Sequence, residues 1–311
     1  MLADNGREIS WGWDTLDAAV GPLVRGRMYV IGARPSCGKT TMALCWIQRH
    51  IEMVPMLTGQ GFWDYPRRLL AVLTERPPIA ARRSLVATQL GYQPDLVLRE
   101  RWDLLPIGAE THVAEGLKVI QEVEQNGWLR LVDAAGPTIE VLASEIEAFQ
   151  PNVIWLDYIQ RIRPTGRQSR FDAVGEAVHY FQALAHEADA IVMIASQLKR
   201  RGDGVFDKYR PPFLEDFKLS GEIEELADVA LGLFRPLRRL TAEEERAVRN
   251  GERGLEDFTM PEAMAIKVVK HRYWGDAADQ IARLRCRQGV ITDWDGVPLP
   301  VQAEESWEAP F

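Results

Sequence analysis

The chain has 311 residues, of which 46% are hydrophobic and 26% are charged, and its formal net charge is −8 at pH 7. This length and composition allow a sizeable buried core and favour one large α/β domain with insertions. The negative charge argues against electrostatic wrapping of nucleic acid over the whole surface, but it does not exclude binding at local basic clusters.

Strand-length apolar runs alternate with segments of helical periodicity along the chain. In chain order, strands are predicted at residues 27–31, 69–73, 129–132, 153–156, 190–195, 229–234 and 263–269, and helices at 39–53, 77–90, 137–149 and 171–188. This alternation indicates parallel strands joined by crossover helices. A charged insertion is predicted at 241–259 and a closing hairpin at 281–292, with an acidic, proline-rich tail at 298–311 that we expect to fray.

The sequence shows no signal for a membrane segment or a metal cage. Its apolar runs fall short of the roughly 20 residues that a spanning helix requires, and the first 13 residues do not have the pattern of a signal peptide. We therefore expect a cytosolic protein. Cys37, Cys45 and Cys286 form no CxxC pair and have no zinc-ligand spacing with the five histidines, so we expect reduced thiols.

The loop after the first predicted strand has the pattern of a phosphate-binding loop. It reads Gly-Ala-Arg-Pro-Ser-Cys-Gly-Lys-Thr-Thr at residues 32–41, with Ala33 at the usual place of the first Walker A glycine. Backbone amides and a helix N-terminus face phosphate in such a loop, while Lys39 reaches the β/γ oxygens and the Thr40 hydroxyl binds Mg²⁺. A chance Gly-Lys-Thr turn is the alternative, and the strand–loop–helix frame argues against it. The predicted ATP contacts are Ala33, Arg34, Pro35, Ser36, Cys37, Gly38, Lys39, Thr40 and Thr41.

Two carboxylates at strand ends are candidates to complete this site. Asp157 follows the apolar run 153–156 and is predicted to hold Mg²⁺ with Thr40 as a Walker B residue, the alternative being a turn cap. Glu75 follows the strand at 69–73, where it can orient the attacking water as a base. Spacing alone does not decide the role of Glu75.

At this point the sequence resembles a known family. The motifs are residues 15–21, the Ala-Arg-Pro loop at 33–40, Leu-Asp-Tyr-Ile-Gln at 156–160, Ala-Leu-Ala-His-Glu at 183–187, Ser-Gln-Leu at 196–198, Ser-Gly-Glu-Ile-Glu at 220–224 and Lys-His-Arg at 270–272. In this order, over residues 8–292, they are similar to the ATPase domain of DnaB-family replicative DNA helicases. The resemblance implies a RecA-like P-loop NTPase fold at 14–297, with a mostly parallel central sheet flanked by helices, after a short extension at 1–13.

The resemblance also implies roles for catalytic residues. Glu75 matches the catalytic base, although Arg76 and Pro77 follow it where the family usually has methionine. Gln197 matches the polar residue that senses the γ-phosphate, the alternative being a strand-ending amide bonded to backbone. Lys270 and Arg272 match the pair that a neighbouring subunit inserts into the ATP site, which makes the site complete only in an oligomer.

The sequence departs from the family pattern at two places. Residues 273–276 read Tyr-Trp-Gly-Asp instead of a small glycine-containing turn. A surface basic pair is therefore the alternative for Lys270 and Arg272. Only about a dozen residues precede the ATPase homology, where typical members carry a helical collar domain. Ring assembly and recruitment of a loader or primase are then expected to depend on another protein.

Basic clusters at 161–170, 199–201 and 235–239 are candidates for nucleic-acid contact, with a solvated loop as the alternative for each. The resemblance implies loops that face a central channel and hold single-stranded DNA by its phosphates. The family's strand-gripping loop matches residues 216–221, in which Lys218 replaces the usual arginine; for Phe217 we favour packing over base stacking. The predicted DNA contacts are Arg163, Arg167, Arg170, Lys199, Arg200, Lys218, Leu219, Ser220 and Gly221.

Two functional hypotheses of different class follow. The first is an ATP-driven translocase on single-stranded DNA, a 5′-to-3′ helicase that assembles as a homo-oligomer, expected to be a hexamer. The second is a RecA-like regulatory or recombination ATPase that binds DNA or a protein partner without unwinding. A purely structural subunit is a third possibility, and the presence of Lys39, Thr40, Glu75 and Asp157 argues against it.

Overall fold

The computed structural model describes residues 7–35, 37–59, 68–132, 136–199, 211–217, 220–235, 246, 250, 262–287 and 289–294. The strands are β1 (Glu8–Ile9), β2 (Leu23–Val24), β3 (Met28–Ala33), β4 (Leu69–Leu73), β5 (Leu129–Val132), β6 (Val153–Asp157), β7 (Ile191–Gln197), β8 (Val229–Phe234), β9 (Ala263–His271), β10 (Ile281–Arg287) and β11 (Val290–Asp293). The helices are α1 (Asp14–Val20), α2 (Lys39–Gly59), α3 (Pro78–Gln89), α4 (Pro94–Leu98), α5 (Ala109–Gln125), α6 (Ile139–Phe149), α7 (Arg170–Glu187) and α8 (Ser220–Leu226).

Within the described residues, one nine-stranded sheet organises the molecule. Its strand order is β11-β10-β9-β8-β3-β7-β6-β4-β5. Strands β3 to β8 are parallel, whereas β9, β10 and β11 each pair antiparallel with the strand before them. The predicted parallel sheet and closing hairpin are therefore confirmed. The carboxyl ends of β3, β7, β6 and β4 meet at one edge, where open α/β sheets bind ligands.

Both faces of this sheet are covered, which explains why its strands are apolar throughout. On β3, Tyr29 and Ile31 belong to the core on one face, and Met28 and Val30 belong to the core on the other. Side chains alternate between faces along a strand, so a strand buried on both sides has no polar positions to spare. Of the described helices, none is long and apolar enough to cross a membrane.

The predicted elements agree closely with the observed ones. The strands at 69–73, 129–132 and 229–234 have the predicted bounds, and the other predicted strands end within two residues of the observed ends. The first helix continues to Gly59, beyond its predicted end at residue 53. Helix α5, with 17 residues, was not predicted. The predicted tail at 298–311 lies outside the described residues, as does the insertion at 241–259 apart from Arg246 and Asn250.

Candidate functional site

The predicted phosphate loop connects β3 to α2 at the carboxyl edge of the sheet. Its turn is closed by the Cys37 amide, which donates to the Arg34 carbonyl over 3.2 Å. Gly38 has φ +103°, a conformation that side-chain-bearing residues rarely adopt, and Lys39 follows it as the first residue of α2. Ser36 lies outside the described residues. The loop thus leads directly into a helix N-terminus, whose free amides favour an anion.

A packing contact explains the glycine that precedes Ala33. A Cβ on Gly32 would lie 2.4 Å from Cε1 of Phe217. Phe217 is fully buried, so packing, the favoured alternative for this side chain, is what the structure shows. Phe217 therefore supports the base of the phosphate loop from below.

Two side chains at the start of α2 contact the predicted Walker B carboxylate. Thr40 Oγ1 donates to Asp157 Oδ2 over 2.7 Å, and Lys39 Nζ lies 3.3 Å from Asp157 Oδ1. Lys39 Nζ also lies 4.3 Å from the centre of the Tyr158 ring. These contacts reach across β7, which lies between β3 and β6. Residues separated by more than a hundred positions are thus brought together as predicted.

The donor set fits a magnesium ion and a phosphate chain. Asp157 is 3% exposed, and its Oδ1 atom is buried without a hydrogen-bond partner among the described residues. Carboxylate and hydroxyl oxygens are ligands that Mg²⁺ accepts, often through water. A buried carboxylate oxygen with spare lone pairs, beside a lysine and a helix N-terminus, has the chemistry of a metal–phosphate site.

Glu75 lies at the neighbouring strand end, tied to the same carboxylate residue. The Thr74 amide and hydroxyl both donate to the Asp157 carbonyl, over 2.8 and 2.9 Å. Glu75 itself is exposed, and its Oε1 atom lies 3.7 Å from Arg161 Nη2. Burial, and then the negative charge of Glu75, raise the pKa of Tyr158 above its usual value. Glu75 is therefore at the rim of the site, accessible to water.

Gln197 ends β7 directly beside the start of the phosphate loop. It is in register with Ala33 of β3, and its backbone amide donates to Oε1 of Gln160 over 3.0 Å. Nε2 of Gln160 donates to Ser196 Oγ over 2.8 Å. One amide side chain thus connects the segment after Asp157 to the end of β7. The sequence placed Gln160 in a motif but gave it no role.

Lys270 and Arg272 lie at the opposite edge of the sheet. The register aligns His271 with Val229, and Val229 with Tyr29 near the amino end of β3. The phosphate loop begins at the other end of β3, about 17 Å away at the usual rise of a strand. An extended arginine side chain is shorter than this distance, so Arg272 is out of reach of the phosphate loop of its own chain.

A groove brings two of the predicted basic segments together. It has a volume of about 610 Å³ and lies between the start of α7 and the end of β7. Phe171, at the mouth of the groove, is 62% exposed. The Arg170 guanidinium donates to the Gln160 carbonyl over 3.0 Å, next to the link described above. The lining residues are Tyr158, Gln160, Arg161, Arg170, Phe171, Val174, Gln197 and Lys199.

The other predicted DNA contacts are not in this groove. Arg163 is exposed and lies against Gly136, and Arg167 is exposed. In the third basic cluster, Arg235 is buried and donates to the Cys286 carbonyl, so it offers no surface for phosphate. Ser220 and Gly221 begin α8. Arg200, Lys218 and Leu219 lie outside the described residues.

Two further residues were missed as site candidates because their signals are weak in sequence. Phe171 follows Arg170 at a helix start, where an aromatic residue usually indicates packing. Asp228 occurs in the Ala-Asp pair at 227–228, but it contacts Arg272 and His186, which are distant in sequence. Only the folded chain reveals these neighbours.

The fold and this edge define the class of protein: a RecA-like P-loop architecture with a mostly parallel sheet flanked by helices. The family profile described as DnaB-like helicase C terminal domain matches residues 111–280. The chain belongs to this family. The matched span contains Asp157, Gln197 and Arg272, whereas the phosphate loop precedes it.

Individual relatives agree with this assignment. The replicative DNA helicase DnaB of Geobacillus stearothermophilus is 25% identical over 229 residues, which are 73% of this chain and 47% of the relative. The chain thus spans about half the length of the curated relatives that it matches. A DnaB-like replicative helicase, solved with attention to its interactions with primase, superposes with a TM-score of 0.66 at 20% identity, covering 92% of this chain and 62% of that protein. A second solved structure, of an isolated ATPase domain, gives 0.67 at 20% identity over 94% and 93%.

Proposed function

We propose that the chain is an ATP-driven translocase on single-stranded DNA that works as a ring-shaped homo-oligomer, a hexamer, and hydrolyses ATP at subunit interfaces. The observation that carries this proposal is the contact of Lys39 and Thr40 with the buried Asp157 across β7. Membership of the helicase family supports the same activity. By the same likeness we propose 5′-to-3′ movement in DNA replication, with a loader, a primase or a separate collar protein as further partners.

Each residue at the carboxyl edge has a proposed chemical task. Lys39 and the amides of the phosphate loop bind the phosphate chain, and Thr40 and Asp157 hold the metal. A bound Mg²⁺ supplies charge neutralisation at the transferring phosphoryl group. Glu75 orients the attacking water and accepts its proton, and Gln197 contacts the γ-phosphate. Its amide is bonded to Gln160, which carries a change at the phosphate to the groove.

The position of Arg272 supports hydrolysis at an interface. Arg272 is too far along the sheet to reach the phosphates of its own chain, but its side chain is 37% exposed at the far edge. An arginine supplied by another subunit is a recurring way to stabilise charge in phosphoryl transfer. We therefore assign Arg272 and Lys270 to the ATP site of a neighbouring protomer.

The test of the proposed function is steady-state ATP hydrolysis with and without single-stranded DNA, over protein concentrations that span oligomer assembly. A ring motor predicts stimulation by DNA and a steep dependence on protein concentration. Hydrolysis that is indifferent to DNA at every concentration contradicts the translocase and favours a regulatory ATPase. Strand separation on a forked duplex then separates a helicase from an ATPase that only binds DNA.

The groove predicts a specific effect on DNA binding. We expect Phe171→Ala to weaken affinity for single-stranded DNA about 5- to 100-fold, because stacking of a base on an aromatic ring contributes about 1–3 kcal/mol. Arg161, Arg170 and Lys199 surround this ring and supply the positive charge that holds phosphates. Fluorescence anisotropy of a labelled oligonucleotide at fixed salt measures the change.

The matched control for this prediction is Ile107→Ala, which removes an exposed apolar side chain outside the groove. It should leave the affinity within about twofold, as expected of a surface substitution. Equal affinity of the Phe171→Ala and unmodified proteins would remove Phe171 from the DNA contact, while hydrolysis without DNA should be unchanged in both variants.

A further inference from the structure

Asp228, which immediately follows α8, is a buried junction of hydrogen bonds at the edge opposite the phosphate loop. Its side chain is 0% exposed. Oδ1 accepts from the Tyr273 hydroxyl over 3.1 Å and lies 3.3 Å from Arg272 Nη1. Oδ2 accepts from the Met28 amide over 2.9 Å and lies 3.3 Å from His186 Nε2. A buried carboxylate needs such partners, and removing its charge leaves them unmatched.

The end of α8 also holds the two candidate finger residues through its backbone. Arg272 Nη2 donates to the Glu225 carbonyl over 2.5 Å, and the Arg272 amide donates to the Asp228 carbonyl over 2.8 Å. Lys270 Nζ donates to the Ala227 carbonyl over 2.6 Å. The last carbonyls of a helix lack partners within the helix and carry negative partial charge, so they bind cations. Both finger residues are therefore fixed to the same helix end.

The other end of α8 begins at the loop predicted to grip DNA. Ser220 and Gly221, two of the predicted contacts, are the first residues of this helix. Helix α8 has seven residues and is about 10 Å long at the usual rise. Ile223, in its middle, is buried in the core shared with α7. A short helix anchored in this way moves as a unit, so a shift at one end changes the position of the other.

We propose that α8, with Asp228 as the positioning residue, couples the DNA-binding loop of one protomer to the ATP site of its neighbour. DNA bound at the loop sets the position of α8, the helix end sets the position of Arg272 and Lys270, and this pair sets the hydrolysis rate in the adjacent subunit. The inference rests on the proposed function, because it needs both a DNA-binding loop and a finger that acts on another protomer.

The coupling has a direction that mixed oligomers can reveal. An Arg272→Ala protomer keeps an intact ATP site but has no finger, and a Lys39→Ala protomer keeps an intact finger but has no working ATP site. Hydrolysis in a mixture of the two therefore reports on fingers that come only from the Lys39→Ala protomers. A further substitution can then be placed in the finger-giving or in the ATP-holding protomer.

Asp228→Asn should act only in the finger-giving protomer. There we expect hydrolysis by the mixture to fall at least about tenfold, with the KM for ATP changed less than about twofold, since the effect is on the transition state. In the ATP-holding protomer the same substitution should leave the rate within about twofold, and this arm also shows that the variant folds and assembles. Tyr273→Phe, which removes one donor to Asp228, should give a smaller loss with the same asymmetry.

The DNA arm of the experiment uses Lys218→Ala in the predicted loop. Stimulation by DNA should fall at least about fivefold, a typical coupling between sites, when this substitution is in the finger-giving protomer, and should persist when it is in the ATP-holding protomer. Equal effects of Asp228→Asn or of Lys218→Ala in the two positions overturn the inference. A mixture of Arg272→Ala and Lys39→Ala that regains no hydrolysis instead overturns the proposed finger in trans, so the two failures are distinguishable.

Discussion

Replacing Lys39 with alanine is expected to lower kcat for ATP hydrolysis by at least about a hundredfold, the loss typical for removal of one charge-stabilising group in an active site. Lys39 is the first residue of α2, and its ammonium group lies 3.3 Å from Asp157 Oδ1. In the proposed site it is the cation that balances both this carboxylate and the phosphate chain. The measurement is steady-state phosphate release, together with nucleotide affinity by equilibrium binding.

The structure also indicates how to separate this effect from loss of fold. Without Lys39, the buried Asp157 retains the Thr40 hydroxyl as a neighbour but loses its nearby cation, and thermal unfolding measures the consequence. Lys118→Ala makes the same change at a position on α5, outside the site, and should leave hydrolysis unchanged. Hydrolysis within tenfold of the unmodified protein in a folded Lys39→Ala variant contradicts the assignment of the phosphate site.

The strands could be predicted because burial on both faces leaves a simple pattern. Runs such as 69–73 are apolar at every position, which only a covered parallel strand requires. Helix α5 was missed although Val113, Ile120 and Val123 lie on one buried side of it. Its interior contains Gly116, which lowers helix propensity. A Cβ there would lie 2.5 Å from Val86, so close packing of α5 on α3 explains the glycine, and this contact is invisible in a local pattern.

The candidate site divides in the same way between local and long-range information. Asp157, Glu75 and Gln197 could be placed together because the carboxyl ends of parallel strands meet at one edge of a sheet. Arg272 could not be placed by that rule, since β9 runs antiparallel and carries it to the other edge. The contacts of Asp228 with His186, Arg272 and Tyr273 are likewise set by strand direction and packing rather than by spacing.

Arg272→Ala is expected to lower kcat by about 10³- to 10⁵-fold, the range found for arginine fingers, while ATP still binds. The reason is geometric: the side chain is held at the edge of the sheet opposite the phosphate loop of its own chain, so its removal leaves the nucleotide contacts of Lys39, Thr40 and Asp157 intact. Equilibrium binding of a labelled nucleotide and phosphate release, measured on the same oligomeric preparation, give the two quantities.

Two variants sharpen the result for Arg272. Arg272→Lys keeps the positive charge but loses the planar fork of donors, so we expect it to recover only part of the rate. Arg99→Ala removes an exposed arginine outside the site and should have no effect. Because each productive interface needs one intact ATP site and one intact finger, mixtures of Arg272→Ala with Lys39→Ala should show hydrolysis that neither variant shows alone, highest at equal amounts. Measurable hydrolysis by strictly monomeric Arg272→Ala protein would show that the finger is not required, and the site would then be complete within one chain.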